Sequence, residues 1–453
     1  MELEIGKKLL KKKEFKEAEL FFLNELKKEN KSSRLLFLLG LTYFELNQFE
    51  KSINFYKSSL EIDPKSTDVM NNLAIVQFTI GNILSAKNLY LKIIKLDKYN
   101  TRAYYGLYSL NPQYLNTKNY LDIFQIRKNK KVDLYESSLI DYLLSKEAKI
   151  KRNYKLELDY LKKHHIQNFR SNNNYNLQGL FYYNKIISKY YNKINFKNLN
   201  DQNLYRKDIL PIFIIGLPRS GSTLIESILS SGNDNVHSLG ETSIINLSIL
   251  DQLEKNIFNK NFDIDKFSLT LDFKRINETV YNKYINYFDT NTKIIFVDKS
   301  LENFFNIEII LKIFPNALFI HSKRNYKDSI LAIYQSILSF LPWTHSLFDI
   351  ANYIDNYIKI LDYFENKYSD KILTINLEDL TNDQTYCSKK IFEFCDLSWS
   401  PEILKFYERK NLNVKTLSNV QVREQITKYN SKKYSNYYSL LNKFKDKFDW
   451  LEI

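Results

Sequence analysis

The chain has 453 residues, 44% of them hydrophobic, and a formal net charge of +14, which allows two or three domains with buried cores. Its two cysteines, Cys387 and Cys395, exclude a disulfide framework, and without nearby histidines they give no zinc spacing, so no metal is expected. No apolar run reaches the ~18–20 residues that cross a bilayer. The N-terminus lacks the apolar core of a signal peptide, so a cytoplasmic location without a membrane span is expected.

The basic balance suits nucleic acid, an anionic membrane or acidic small molecules. The lysines are scattered, and no nucleic-acid-binding signature accompanies them, so nucleic acid is not an expected partner.

In the N-terminal third, Gly6, Gly40 and Ala74 recur at a constant step. So do Ala18, Ser52 and Ala86, and Phe22, Tyr56 and Tyr90. The step matches the ~34-residue tetratricopeptide (TPR) period of paired helices. The small residues let antiparallel helices approach, and the aromatic fills the gap between neighbouring repeats. Such arrays stack into a solenoid, whose concave face either binds a protein partner or serves as a structural cap. The expected domains are TPR repeats over 1–110, irregular TPR-like helices and a linker over 111–205, and an α/β domain over 206–453. In the second of these, Ser171–Asn174 reads as a polar loop and His164-His165 as a solvated helix end.

From Leu210 onward short apolar strands alternate with helices, which predicts an α/β fold with a mainly parallel sheet. Candidate strands are Ile212–Ile215, Lys293–Val297, Ala317–His321 and Ile372–Asn376. The first runs into the loop Gly216–Thr223, and Leu224, Ile225, Ile228 and Leu229 then repeat at helical spacing. Strand, glycine loop and helix gather backbone N–H groups around an anion. The loop nearly fits the P-loop pattern G-x-x-x-x-G-K-[ST], but Ser222 stands at the lysine, which argues against nucleoside triphosphate hydrolysis. The positive charge is Arg219, inside the loop. Polar residues follow other expected strands: Gly240-Glu241, Asp298-Lys299, and Lys323-Arg324 with Asp328 and Ser329 beyond. On position alone, Glu241 is either a general base or a helix-start carboxylate. Arg324 either grips an anion or pairs with Asp328 on the surface. Thr416–Ile426, with Ser418 and Arg423, reads as a possible covering segment outside any long helix.

Pro218-Arg219-Ser220-Gly221-Ser222-Thr223 resembles the 5′-phosphosulfate loop of sulfotransferases that use 3′-phosphoadenosine 5′-phosphosulfate (PAPS). Together with LGET, FVDKSLENF, RNYKDS and ILTINLEDLTNDQ, the chain resembles the bacterial TPR-containing sulfotransferases, related to the tyrosylprotein sulfotransferases. The resemblance covers most of the chain and implies an α + α/β multidomain protein, a TPR solenoid followed by a P-loop-like sulfotransferase domain. It implies PAPS as co-substrate, held by Pro218, Arg219, Ser220, Gly221, Ser222, Thr223, Arg324, Ser329 and Arg423. It makes Glu241 the base that deprotonates an acceptor hydroxyl on a peptide, protein or glycan, with Lys299, Ser418 and Arg219 stabilising the transition state. Two positions depart from the family: Ala332 stands where a serine is usual, and Gln425 where a proline is. The competing reading is a TPR scaffold carrying a degenerate nucleotide fold.

Overall fold

A computed structural model describes residues 3–28, 32–129, 132–197, 208–232, 236–257, 269–288, 294–409, 415 and 419–451. The chain forms two compact units: Met1–Ser171 with Lys410–Val420, and Asn172–Arg409 with Gln421–Ile453.

The described part of the first unit is helical: α1 (Glu4–Lys11), α2 (Phe15–Lys27), α3 (Ser33–Glu45), α4 (Phe49–Ile62), α5 (Thr67–Thr79), α6 (Ile83–Leu96), α7 (Thr101–Leu110), α8 (Thr117–Asn129), α9 (Leu134–Ile150) and α10 (Tyr154–Ser171). Starts are set by side chains that accept from the first turn: Ser32 from Leu35 N, Asn100 from Ala103 N, Asp133 from Glu136 N. These satisfy N–H groups that have no intrahelical partner.

The repeated glycines explain the pairing. A Cβ on Gly6 would lie 2.3 Å from the Phe22 ring, and one on Gly40 2.6 Å from the Tyr56 ring. Each ring therefore rests on bare backbone of the facing helix. Phe22 also shares a core cluster with Leu35, Leu38 and Leu39 of the next repeat, and Tyr90 packs on Gly106 of α7.

Two expectations about the following helices are corrected. His164 and His165 are not at a solvated helix end: they are 1% and 3% exposed. α10 runs past them to Ser171 and packs along α9, and His164 Nδ1 lies 2.9 Å from the Ser138 carbonyl oxygen. Nor is 171–174 a loop. The break is confined to Asn172, at φ −137° and ψ 50°, between α10 and α11 (Asn173–Phe181).

The second unit continues with α12 (Ile187–Tyr190), β1 (Ile194–Lys197), β2 (Ile209–Gly216), α13 (Ser222–Gly232), β3 (Val236–Gly240), α14 (Ile244–Ile257), β4 (Leu269–Asp272), α15 (Phe273–Ile285), β5 (Ile294–Asp298), α16 (Ile307–Ile313), β6 (Leu318–Lys323), α17 (Tyr326–Tyr334), α18 (Leu347–Lys367), β7 (Ile372–Asn376), α19 (Leu377–Asn382) and α20 (Gln384–Phe394). A five-stranded, all-parallel sheet has the order β3-β5-β2-β6-β7, and β1 pairs with β4 in a separate parallel pair. The four expected strands are present, Ile372–Asn376 with its expected bounds and the other three with shifted ends, although Lys293 lies outside the described residues. β3 escaped prediction because Val236-His237-Ser238 is not an apolar run: it is an edge strand with His237 and Ser238 exposed. By contrast β5 is buried along its whole length, the pattern of a parallel strand covered on both faces.

The topology places the loop. From β2 the chain passes beyond β5 to form β3, and from β5 it crosses β2 to form β6. The carboxyl end of β2 is therefore a switch point, where open parallel sheets bind ligands. Among the described residues no helix is long and apolar enough to cross a membrane.

Phe22→Ala removes a fully buried ring from the Gly6 contact. It is expected to lower stability by about 3 kcal/mol or more, read as a shift in the urea unfolding midpoint.

Candidate active site

The loop after β2 owes its shape to three residues with positive φ: Gly216 (+146°), Arg219 (+68°) and Gly221 (+97°). A Cβ on Gly216 would lie 2.4 Å from the Ser322 carbonyl oxygen of β6, so only glycine lets the strands pair there. Ser220 is buried, and its Oγ donates to Leu217 O at 2.7 Å. Ser322 Oγ, 2.9 Å from Ser220 Oγ, donates back to the Ser220 carbonyl at 2.9 Å. The loop is thus fastened to the neighbouring strand. Ser222 and Thr223, also buried, open α13. The first N–H groups of a helix lie beyond the i−4 ladder and carry its positive end. Pro218 and Arg219 are half-buried, and Arg219 Nη2 donates to Gln421 Oε1 at 3.4 Å.

The ends of β3 and β5 bring two further residues together. Gly240, at φ +71°, turns the chain out of β3, and its carbonyl accepts from Lys299 N at 2.8 Å. Glu241 follows with its side chain half exposed, whereas the Lys299 side chain is 0% exposed. Lys299 Nζ lies 2.6 Å from Glu241 Oε1 and 3.7 Å from Glu226 Oε2 of α13. Burial pulls the ammonium's pKa down, but Glu241 and Glu226 outweigh that and hold it above its ordinary value, so it stays a cation. Burial raises the pKa of Glu226 against the opposing pull of Lys299 and of Ser238, which donates to Glu226 Oε1 at 2.7 Å. Beneath the pair, buried Asp298 accepts from Thr242 Oγ1 (2.5 Å), Tyr284 Oη (2.6 Å) and Ser300 N (2.7 Å). It thereby fixes the chain neighbours of both Glu241 and Lys299.

The end of β6 carries Arg324. The expected alternative of a surface pair with Asp328 is corrected: both side chains are buried, with Nη2 3.6 Å from Oδ2. Arg324 Nη1 donates to the Arg219 carbonyl at 3.1 Å, Nε donates to Tyr429 Oη at 3.3 Å, and the guanidinium lies 5.3 Å from the Tyr429 and Tyr434 rings. Asp328 also accepts from Tyr438 Oη at 2.6 Å and from Tyr429. Ser329 is buried and donates to Asn325 O of its own helix at 2.9 Å. Arg423 is half-buried on the short turn Gln421–Arg423, where burial lowers its pKa. Ser418 lies outside the described residues.

Residues 211–401 match the family model described as the sulfotransferase family, and residues 33–66 match a tetratricopeptide repeat. The chain carries a sulfotransferase-family domain and a TPR repeat. An uncharacterized protein of Aquifex aeolicus (strain VF5) is 28% identical over 235 residues, covering 50% of this chain. The match spans only 30% of that relative's length. Among solved structures, the sulfotransferase domain of the Synechococcus PCC 7002 olefin synthase has a TM-score of 0.35 at 16% identity, covering 50% of this chain and 87% of that one. Sulfotransferase STF9 from Mycobacterium avium has a TM-score of 0.30 at 13% identity, covering 72% and 96%.

Within the sulfotransferase-family domain the structure brings Glu241 to Lys299 and Arg324 to the carbonyl of Arg219. Sequence reading missed Glu226, Ser322 and the C-terminal tyrosines. Glu226 had a local signal, a lone carboxylate among the apolar positions Ile225, Ile228 and Leu229. Tyr429, Tyr434 and Tyr438 had none, since nothing local links them to Arg324.

A second buried set stiffens β6. His321 Nδ1 donates to Glu365 Oε1 (2.8 Å) with Thr374 Oγ1 at 3.0 Å, and Nε2 accepts from Tyr357 Oη at 2.5 Å. That pattern fits a neutral imidazole, and burial lowers the His321 pKa below 6.5 despite Glu365. The unfolded chain then takes up a proton near that pH while the folded chain does not, so stability falls as pH drops below it. His321→Gln is expected to flatten the loss of stability between about pH 7 and 5, measured by urea titrations at several pH values.

Proposed function

We propose that this chain moves a sulfuryl group from PAPS to an acceptor hydroxyl on a peptide, protein or glycan. The resemblance to tyrosylprotein sulfotransferases favours a protein tyrosine. The observation that carries the reading is the buried Lys299 ammonium 2.6 Å from a half-exposed Glu241, at adjoining strand ends in the sheet whose switch point carries the loop.

The donor set fits a multiply charged sulfur nucleotide: N–H groups at the start of α13, the guanidiniums of Arg219 and Arg324, and a fixed ammonium. When bound, PAPS supplies an activated sulfuryl group. Pro218 to Thr223 hold the 5′-phosphosulfate and Arg423 faces the donor. Arg324 takes the 3′-phosphate, with Ser329 a weaker contributor because its proton is committed to Asn325 O. Glu241, on the exposed side of the pair, accepts the acceptor's hydroxyl proton. Its charge is then neutralised, and the Lys299 ammonium, still near Glu226, is released to stabilise negative charge on the departing oxygen. The resemblance gives Ser418, outside the described residues, a share in stabilising the same charge, and Arg219 supports it from the loop.

A scaffold with a degenerate nucleotide fold has two observations in its favour: Arg324 is already engaged by Asp328 and Tyr429, and position 332 is alanine. Calorimetry with 3′,5′-ADP separates the two, since a scaffold gives no heat of binding. With radiolabelled PAPS and a peptide or glycan library, Glu241→Gln is expected to lose transfer by about 10²–10⁴-fold while 3′,5′-ADP binding persists. Unchanged turnover removes Glu241 as the base.

A further inference from the structure

Within the repeat unit, α8, α9 and α10 leave a cavity of about 210 Å³ between them. Each helix contributes a pair of residues: Tyr120 and Phe124 from α8, Leu144 and Ala148 from α9, Leu156 and Tyr160 from α10. Residues four apart share one face of a helix, so three helix faces converge on the space. Ala148 has the smallest side chain in the wall, which leaves the space unfilled. Leu144, Ala148 and Tyr120 are buried and form the floor. Phe124 and Leu156 are 44% and 41% exposed, so the cavity has a side that faces solvent.

One polar atom of the wall is unused. The Tyr120 hydroxyl is buried and has no hydrogen-bond partner among the described residues, although Tyr120 itself is only 5% exposed. A buried hydroxyl left without a partner costs free energy. Burial, and then the Glu147 carboxylate, push its pKa up to about 12, so it keeps its proton and is free to donate. Glu147, also in the wall, accepts instead from Lys151 Nζ at 2.6 Å.

The wall selects its occupant. A bound water needs about two to four polar partners, and apolar side chains make up most of this floor. An apolar cavity of about 150 Å³ already admits benzene, so this larger one has room for one aromatic ring and a substituent. The substituent must accept from Tyr120, which excludes an ammonium, a group with no lone pair. An anionic substituent is disfavoured by the Glu147 carboxylate and by the apolar floor. A neutral hydroxyl meets both conditions.

We propose that this cavity is a binding site for a phenolic ring, which lies against Leu144, Ala148 and Tyr160 while its hydroxyl accepts from Tyr120 Oη. A free small phenol and the tyrosine side chain of a peptide share that chemistry. The inference concerns the repeat unit alone and does not depend on the sulfotransferase reading.

The test is a ligand-observed NMR titration of the full chain with p-cresol, toluene and N-acetyl-L-tyrosinamide. p-Cresol is expected to bind with a Kd on the order of 1 mM or tighter, and toluene about tenfold more weakly, the worth of one hydrogen bond. In Tyr120→Phe, p-cresol falls to the toluene value while toluene is unchanged. Ala148→Leu fills the cavity and abolishes binding of both, with the urea unfolding midpoint showing that the variant is folded; should it not fold, Tyr120→Phe decides. N-acetyl-L-tyrosinamide binding as tightly as p-cresol supports the site and identifies a peptide tyrosine as its ligand. Its exclusion while p-cresol binds supports the site and identifies a free phenol. Toluene binding as tightly as p-cresol overturns the proposal, as does p-cresol binding that neither variant changes. Wild-type protein that shows no saturable p-cresol binding overturns it as well.

Discussion

A fully buried lysine is the constraint on which the candidate site depends. Taking the Lys299 ammonium out of water is costly unless carboxylates and hydrogen bonds compensate. Here one comes from the end of β3, Glu241, and a second from α13, Glu226. Neither is near Lys299 in sequence. The crossover that sets β3 beside β5, and the helix after the loop, must both form before the charge is tolerable. Buried Asp298 strengthens the demand by tying Thr242, Tyr284 and Ser300 to one carboxylate.

The loop after β2 is shaped by its neighbours as much as by its own residues. Positive φ at Gly216 and Gly221 is inexpensive because they are glycines, but Arg219 adopts +68° with a full side chain. Such a conformation costs energy and persists only where the surroundings over-determine it. The surroundings do so: Ser322 of β6 and Arg324 just beyond it bond the carbonyls of Ser220 and Arg219. The same Arg324 is held by tyrosines of the C-terminal segment, so one guanidinium joins the loop, the strand end and the tail.

In the repeat unit, what matters is close approach. A ring rests on glycine between α1 and α2, between α3 and α4, and between α6 and α7, so these helices approach as closely as their backbones allow.

The sequence by itself determined the architecture and which polar residues stand at the strand ends. Helical periodicity and a constant repeat step announce the solenoid, because each helix buries one face against the next. Short β-branched runs before Gly216, Lys299 and Arg324 announce parallel strands, because such strands are covered on both faces. The residue types at their ends, with Glu241 after Gly240, were equally legible, since loop and strand-end chemistry is local. Only the tertiary structure decided which of them meet. Glu226 beneath Lys299, Tyr429 against Arg324 and the buried histidines of α10 join residues distant in the chain. Whether a polar side chain is buried with a partner or left in water is settled by which elements pack together, and no local pattern encodes that.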